Sequence, residues 1–386
     1  MKDEKKAPKL RFKGFTDDWE QCKLGDLADR VTTKNKGMVS ELPLTISAQD
    51  GLISQDEFFN KKVASKDLSS YLLLHHGDFA YNKSYSNGYP FGTIKRLEKY
   101  PQGVVSSLYI AFKPNSSISS DFMAQYYESN NWHKEIYKCA AEGARNHGLL
   151  NVPPSDFFAT NLNIPITKSE QLKIGRLLNA VDQTITLHEE KKHQLERLKS
   201  ALLQKMFADK SGYPDIRFEG FSDEWEQCKL GDVAKINSGK DYKGLQPGKI
   251  PVYGTGGYML SVNDKLSDID AIGIGRKGTI DKPYYLNAPF WTVDTLFYVT
   301  PRGTVDISFM FPLFKNINWK RYDESTGVPS LSKNTIKKIR VSFPQNNEQV
   351  KIGDLFQKIT QIITLHDQKL NLLKLVKQSL LQKMFI

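Results

Sequence analysis

The sequence predicts an α+β fold in which two globular domains, related by a pseudo-two-fold, are joined by two long coiled-coil helices. Three observations predict it. The octapeptide WEQCKLGD occurs from Trp19 to Asp26 and again from Trp225 to Asp232. Each copy contains short β-branched and aromatic runs punctuated by turn glycines, the pattern of strands in antiparallel sheets. Each copy closes on a Pro-free segment with apolar residues spaced 4-3, and both segments end in LLQKMF, at 202–207 and 380–385.

Taken in order, the repeat begins with KLRFKGFTDDWEQCKLGD at 9–26, answered by DIRFEGFSDEWEQCKLGD at 215–232. The offset of 206 residues carries through to Gly51 and Gly257. It is 186 at Gly92-Thr93-Ile94, which answer Gly278-Thr279-Ile280, and 188 where VSSLYIAF from Val105 answers VDTLFYVT from Val293. Phe122, Met123 and Trp132 answer Phe309, Met310 and Trp319, and Gly148 and Pro165 answer Gly327 and Pro344. The closing blocks stand 178 apart. The length changes fall in segments rich in Gly, Asn, Ser, Tyr, Lys and Arg, as loops do by default. The expected organisation is a first domain over 1–169, a spacer helix over 170–207 and a linker over 208–214. A second domain over 215–347 and a second spacer helix over 348–386 complete it.

In the first helix the seam positions are Ile174, Leu178, Val181, Ile185, His188, Leu195 and Leu202. In the second they are Ile352, Phe356, Ile359, Ile363, His366, Leu370, Leu373 and Leu380. Lys192, Lys199 and Lys377 interrupt the stripe. A heptad repeat held over this length predicts a coiled coil, and 38 residues of helix span about 57 Å at 1.5 Å per residue. His188 and His366 read as polar seam residues that fix register, not as metal ligands. Phe207 and Phe385 are expected on an exposed edge at the helix tips.

Composition narrows the function classes. Hydrophobic residues at 39% and charged residues at 25% describe a soluble globular protein. No apolar run approaches the roughly 20 residues of a membrane helix. The charged start MKDEKKAPKL has no apolar stretch behind it, so it does not read as a secretory signal. The expected compartment is the cytoplasm, with no membrane partner. Cys22 and Cys228 are one repeated position and Cys139 stands alone; with no CxxC pair, all three read as reduced structural thiols and no metal site is expected. The net charge of +11 favours a polyanionic partner.

Several motifs resemble catalytic or cofactor sites and fail on context. GIGRKG at 273–278 fits a dinucleotide fingerprint, but Pro283 follows too soon for the helix that the fingerprint requires. It reads as a basic turn between strands. NVPPSDFF at 151–158 departs from the Asn-Pro-Pro-aromatic motif of amino methyltransferases at Val152 and Ser155. A metal-nuclease pattern using Asp215 and Asp241-Tyr242-Lys243 places Asp215 in the linker, and the first copy has Lys9 there. No catalytic residue and no cofactor is expected.

Together, the RFxGFxDxWEQCKLGD openings, the GTI strand runs and the EQxKIG…ITLH…LLQKMF helices resemble the specificity subunit of type I restriction–modification systems. The resemblance covers the whole chain. It implies two target-recognition domains, each reading one half of a split, asymmetric site on double-stranded DNA. It further implies that the two helices pack antiparallel as a spacer and dock two methyltransferase subunits, which carry the adenine-N6 chemistry. Restriction subunits, the motor-nuclease, would cut, and this chain would have no active site of its own. WEQCKLGD would then be framework or docking surface. The alternative is a non-DNA coiled-coil scaffold with two ligand-binding domains, separable because DNA binding weakens steeply with salt.

Base readout needs forked donors and acceptors on loops, and phosphate contacts need cations and hydroxyls. In the first domain the candidates are Lys83, Tyr85, Asn87 and Tyr89, with Arg145, Asn146 and His147. In the second they are Lys240, Tyr242 and Lys243, Arg276 and Lys277, and Ser325 and Thr326.

Overall fold

The computed structural model describes residues 7–61, 63–85, 88–140, 145–146, 149–209 and 211–386. The strand-type runs form the same antiparallel sheet twice. In the first copy its order is Ala28–Arg30, Ile110–Pro114, Phe79–Asn82 and Thr93–Arg96. In the second it is Ala234–Ser238, Leu296–Pro301, Ala271–Gly275 and Tyr284–Leu286. Side chains alternate across such strands. Phe79, Tyr81 and Phe112 therefore join one core with Phe122 and Met123 of the helix Ser120–Glu128, while Ala80 and Ala111 face a second cluster around Leu44 and Leu74. The helix Ile307–Asn316 covers the second sheet through Phe309 and Met310.

The repeated octapeptide is framework. Glu20–Lys23 pairs antiparallel with Asn161–Ile164, and Glu226–Lys229 pairs with Arg340–Phe343, so each domain's entry is tied to the strand that leads into its helix. Trp19 and Trp225 are buried at the start of these strands, each edge-on to the helix phenylalanine, Phe122 or Phe309. Among the described residues neither indole N–H has an acceptor, the same polar cost at the same place in both copies.

The other repeated words lock onto one another, once in each copy. Arg11 of RFKGF donates Nε and Nη2 to the two carboxylate oxygens of Glu170 at 2.6 and 2.8 Å; Arg217 of RFEGF does the same to Glu348 at 2.7 and 2.8 Å. Gln171 donates to the Pro165 carbonyl and accepts from the Ser119 N–H, as Gln349 does with Pro344 and Asp306. Lys173 lies over the Phe15 ring and Lys351 over Phe221, each at 4.8 Å. Gly175 needs to be glycine because a Cβ would stand 2.8 Å from the Phe122 backbone nitrogen, and a Cβ on Gly353 would run into Ser308. Every letter of EQxKIG thus has a partner in its own unit.

The two long helices run Lys168–Lys205 and Asn346–Met384. The chain divides into one unit of Met1–Leu187 with Leu370–Ile386 and another of His188–Lys369, so each unit contains a stretch of both helices. Within the second unit they are antiparallel: His188 meets His366 and, further along, Lys199 donates to Thr360 Oγ1 at 2.6 Å, the numbers rising on one helix and falling on the other. Ile174, Leu178 and Leu370 are buried in the first unit, and Ile352, Phe356 and Ile359 in the second. Val181, Ile185, Leu195, Leu202, Ile363, Leu373 and Leu380 are half-buried, since two helices alone cover only part of a seam side chain. The interrupting lysines find partners in the facing helix. Lys192 pairs with Asp367 at 2.5 Å and Lys377 with Asp182 at 2.6 Å.

His188 Nδ1 and His366 Nδ1 lie 2.8 Å apart, so one ring donates to the other. Desolvation in the seam, then the like charges of Lys369 and His366, hold the His188 imidazole below its ordinary pKa. The unfolded chain therefore takes up a proton more readily than the folded one, and stability should fall as pH drops through the ordinary imidazole range. Unfolding compared at about pH 7.5 and about pH 5.5 should show this loss in the wild type and less of it in His188→Gln.

The helix tips correct one expectation. Phe207 and Phe385 are not an exposed edge; they are 6% and 4% exposed. Met206 and Phe207 leave the helix after Lys205 and enter the second domain's core against Trp225, Phe309 and Phe356. Met384 and Phe385 enter the first domain's core against Trp19, Phe122 and Tyr126. LLQKMF is repeated because each copy supplies a plug for an equivalent tryptophan.

Candidate nucleic-acid interface

In the second domain the fully buried strand Ala271–Gly275 delivers Arg276 and Lys277 to the surface, where both are exposed. The turn that follows is tight: a Cβ on Gly275 would stand 2.2 Å from the Thr279 carbonyl oxygen, and Gly278 has φ +84°. No helix follows GIGRKG, as Pro283 requires. A second loop is strapped alongside. Leu331 N–H donates to the Arg276 carbonyl at 2.9 Å, and Gly278 N–H to Pro329 at 2.8 Å. The same loop is closed on itself by Asp323 Oδ1, which accepts from the N–H groups of Ser325 and Ser330 at 3.0 and 2.9 Å.

Between the two loops opens a cleft of about 380 Å³. Its floor is Phe297 and Leu331, with Ser238, Ser330 and Ser332 on the walls. Arg276, Lys277 and Lys333 bring three cations to it, and Glu324 one carboxylate. Ser332 donates its N–H and Oγ to Glu324 Oε1 at 3.3 and 2.8 Å. Hydrogen bonds from Thr335 and Ser332 hold the Glu324 carboxyl below the usual carboxylate range. Burial, then the like charges of Lys337 and Arg276, lowers the Lys333 ammonium, which lies 5.9 Å from the Phe297 ring centroid. Among the described residues no carboxylate pairs with Arg276, Lys277 or Lys333. An uncompensated cationic rim on two pinned loops suits an anionic polymer.

The other candidates of this domain lie nearby in the chain. Lys240 and Lys243 are exposed, and Lys240 is fixed through its backbone, its N–H donating to Thr292 and its carbonyl accepting from the Trp291 indole. It follows Ser238 of the cleft by two residues. Tyr242 is half-buried against the cluster around Val252 and Trp291. Thr326 is exposed, whereas Ser325 is turned onto Asp323. The sequence reading missed Lys333 and Glu324; the signal was Ser332, whose Oγ accepts from Thr335 N–H and caps the short helix Lys333–Lys338.

In the first domain Tyr85 and Tyr89 are exposed. Lys83 is half-buried, its ammonium lowered by burial and 3.4 Å from the Val152 carbonyl to which it donates. Arg145–Asn146 pairs antiparallel with Leu149–Leu150. Leu150 N–H donates to the Lys83 carbonyl at 3.0 Å, so the two candidate loops of this domain meet. Only the backbone of Arg145 and Asn146 lies within the described residues, and Asn87 and His147 lie outside them.

Comparison with known proteins places these features. The profile of the type I restriction modification DNA specificity domain matches residues 222–375. The type I restriction enzyme MjaVIII specificity subunit of Methanocaldococcus jannaschii is 23% identical over 240 residues, covering 59% of this chain. The chain spans about half, 52%, of that relative's length. The S subunit of a type I restriction–modification system from M. genitalium shares the fold at a TM-score of 0.67 and 19% identity, over 98% of this chain and 99% of its own. A chain from a study of complex assembly and conformational transition in the type I system matches at 0.52 and 16% identity, over 95% and 97%. No helix among the described residues is long and apolar enough to cross a membrane. With a type I restriction modification DNA specificity domain matched in its second half and the same framework written again in its first, the chain is similar to the specificity subunits of type I restriction–modification systems.

Proposed function

We propose that this chain reads a bipartite, asymmetric site on double-stranded DNA, one half with each domain, and docks two adenine-N6 methyltransferase subunits. Restriction subunits would join the same assembly in the cytoplasm. The chemistry belongs to those partners, and this subunit is non-catalytic. The observation that carries the reading is the split between what the copies share and what they do not. The locks of Arg11 with Glu170 and Arg217 with Glu348 match bond for bond, while the loops at 82–92 and 143–148 share little with those at 273–278 and 322–327. Two alike frameworks with unlike loops suit two alike partners and two unlike half-sites.

Mapping N6-methyladenine across the genome of cells carrying this chain and its methyltransferase, against cells lacking the chain, tests the reading. A split motif with a fixed gap that vanishes with the chain is the expected result. Exchanging residues 1–165 for those of a relative should change one half of the motif only. Absence of any motif dependent on the chain would overturn it.

A further inference from the structure

We propose that the cleft of the second domain reads a G·C base pair of its half-site, Arg276 donating to the guanine and Glu324 accepting from the cytosine. This rests on the DNA-reading function above and names which side chains carry identity there. In the major groove guanine shows two acceptors, O6 and N7, that match the guanidinium fork, and cytosine shows the N4 donor that a carboxylate accepts. Both side chains line one cleft, yet among the described residues no ion pair joins them. Oppositely charged groups that share a cleft without pairing are free to meet a ligand presenting the complementary pattern.

Their spacing is held by backbone, not by side-chain chance. Leu331 N–H bonds the Arg276 carbonyl at 2.9 Å, and Glu324 N–H bonds Ser330 at 3.0 Å. Lys277 and Ser330 form an antiparallel bridge between the two loops. The bonds from Ser332 favour an ionised Glu324, an acceptor with no proton to offer, and a carboxylate keeps further lone pairs after those bonds are made. Lys277 and Lys333 are left for phosphates, which position the duplex without reading it. By the repeat, Lys333 corresponds to Pro154, while Arg276 and Glu324 lie in segments whose lengths differ between the copies. The first copy therefore does not repeat this cleft's set of charges, as a different half-site requires.

Methylation mapping with Arg276→Lys, Glu324→Gln and Lys277→Gln, each in the full assembly, gives the first test. Arg276→Lys and Glu324→Gln should relax one and the same G·C position in one half of the motif, leaving the other half and the gap unchanged. Lys277→Gln should lower methylation at all sites with the motif intact. The wild-type assembly gives a second test that does not depend on any variant folding. Placing 7-deazaguanine at that position removes the N7 acceptor and should weaken wild-type binding roughly 5- to 100-fold, with little further effect on Arg276→Lys. The inference is overturned if both variants keep the full wild-type motif, or if no guanine of that half-site is sensitive to the deaza substitution. A wild-type assembly with no split motif would instead sink the DNA-reading function itself.

Discussion

Glu348→Ala is expected to destabilise the second unit by about 3–5 kcal/mol, the range for removing one partner of a buried ion pair. The carboxylate is 1% exposed and takes both of its bonds from Arg217, which is 14% exposed. Without it a guanidinium stays in place with two donors facing a closed interface. Exchanging both residues for apolar ones of similar volume should cost far less, because no charge is then left buried. Glu170→Ala should do the same in the first unit, where Glu170 is 1% exposed and holds Arg11. Urea unfolding gives the size of the loss, and hydrogen exchange gives its place: peptides around 217–225 and 346–356 should lose protection in Glu348→Ala, while those around Arg11 and Glu170 keep it. A loss under about 1 kcal/mol would mean that the pair behaves as a solvated surface contact.

Phe385→Ala should cost the first unit about 3–5 kcal/mol, as buried aromatic truncations do. Its ring contacts Trp19, Phe122 and Tyr126 at centroid distances of 6.4, 5.3 and 6.0 Å, so its removal opens a cavity among three aromatic side chains. Phe385→Leu should retain most of the burial and lose about half as much or less. The informative readout is location. Tryptophan fluorescence and exchange should change around residues 19–24 and 122–127, far along the chain from the substitution, whereas Phe207→Ala should act around 225–230 and 309–314. Both variants tested together should give additive losses, since each plug belongs to the core of its own unit.

The repeat made the fold legible. Strand runs, helix length and the antiparallel sheets follow from patterns that recur in both copies, and the octapeptide, by recurring unchanged, read as framework or docking surface. What the sequence withheld is whatever depends on a partner far away in the chain. Phe207 looked like an exposed helix end because its receptor, Trp225, sits beyond a linker, and nothing local says that the helix stops at Lys205. Glu170 and Glu348 stand in the first turns of their helices, where acids are favoured for a reason of their own; their burial comes with arginines more than a hundred residues away. The cleft was half legible. Arg276 and Lys277 stood out as loop cations, whereas Lys333 and Glu324 became neighbours only through the backbone bonds that strap one loop to the other.

The plugs also set an order of synthesis. Met206 and Phe207 are made before the domain whose core they fill, so the second domain can fold around a piece already waiting. Met384 and Phe385 belong to a core whose other buried members, from Trp19 to Leu178, are made long before them. On the ribosome the first domain therefore stays unsealed around Trp19 until residue 385 has emerged, and the half that is translated first is the half that finishes last.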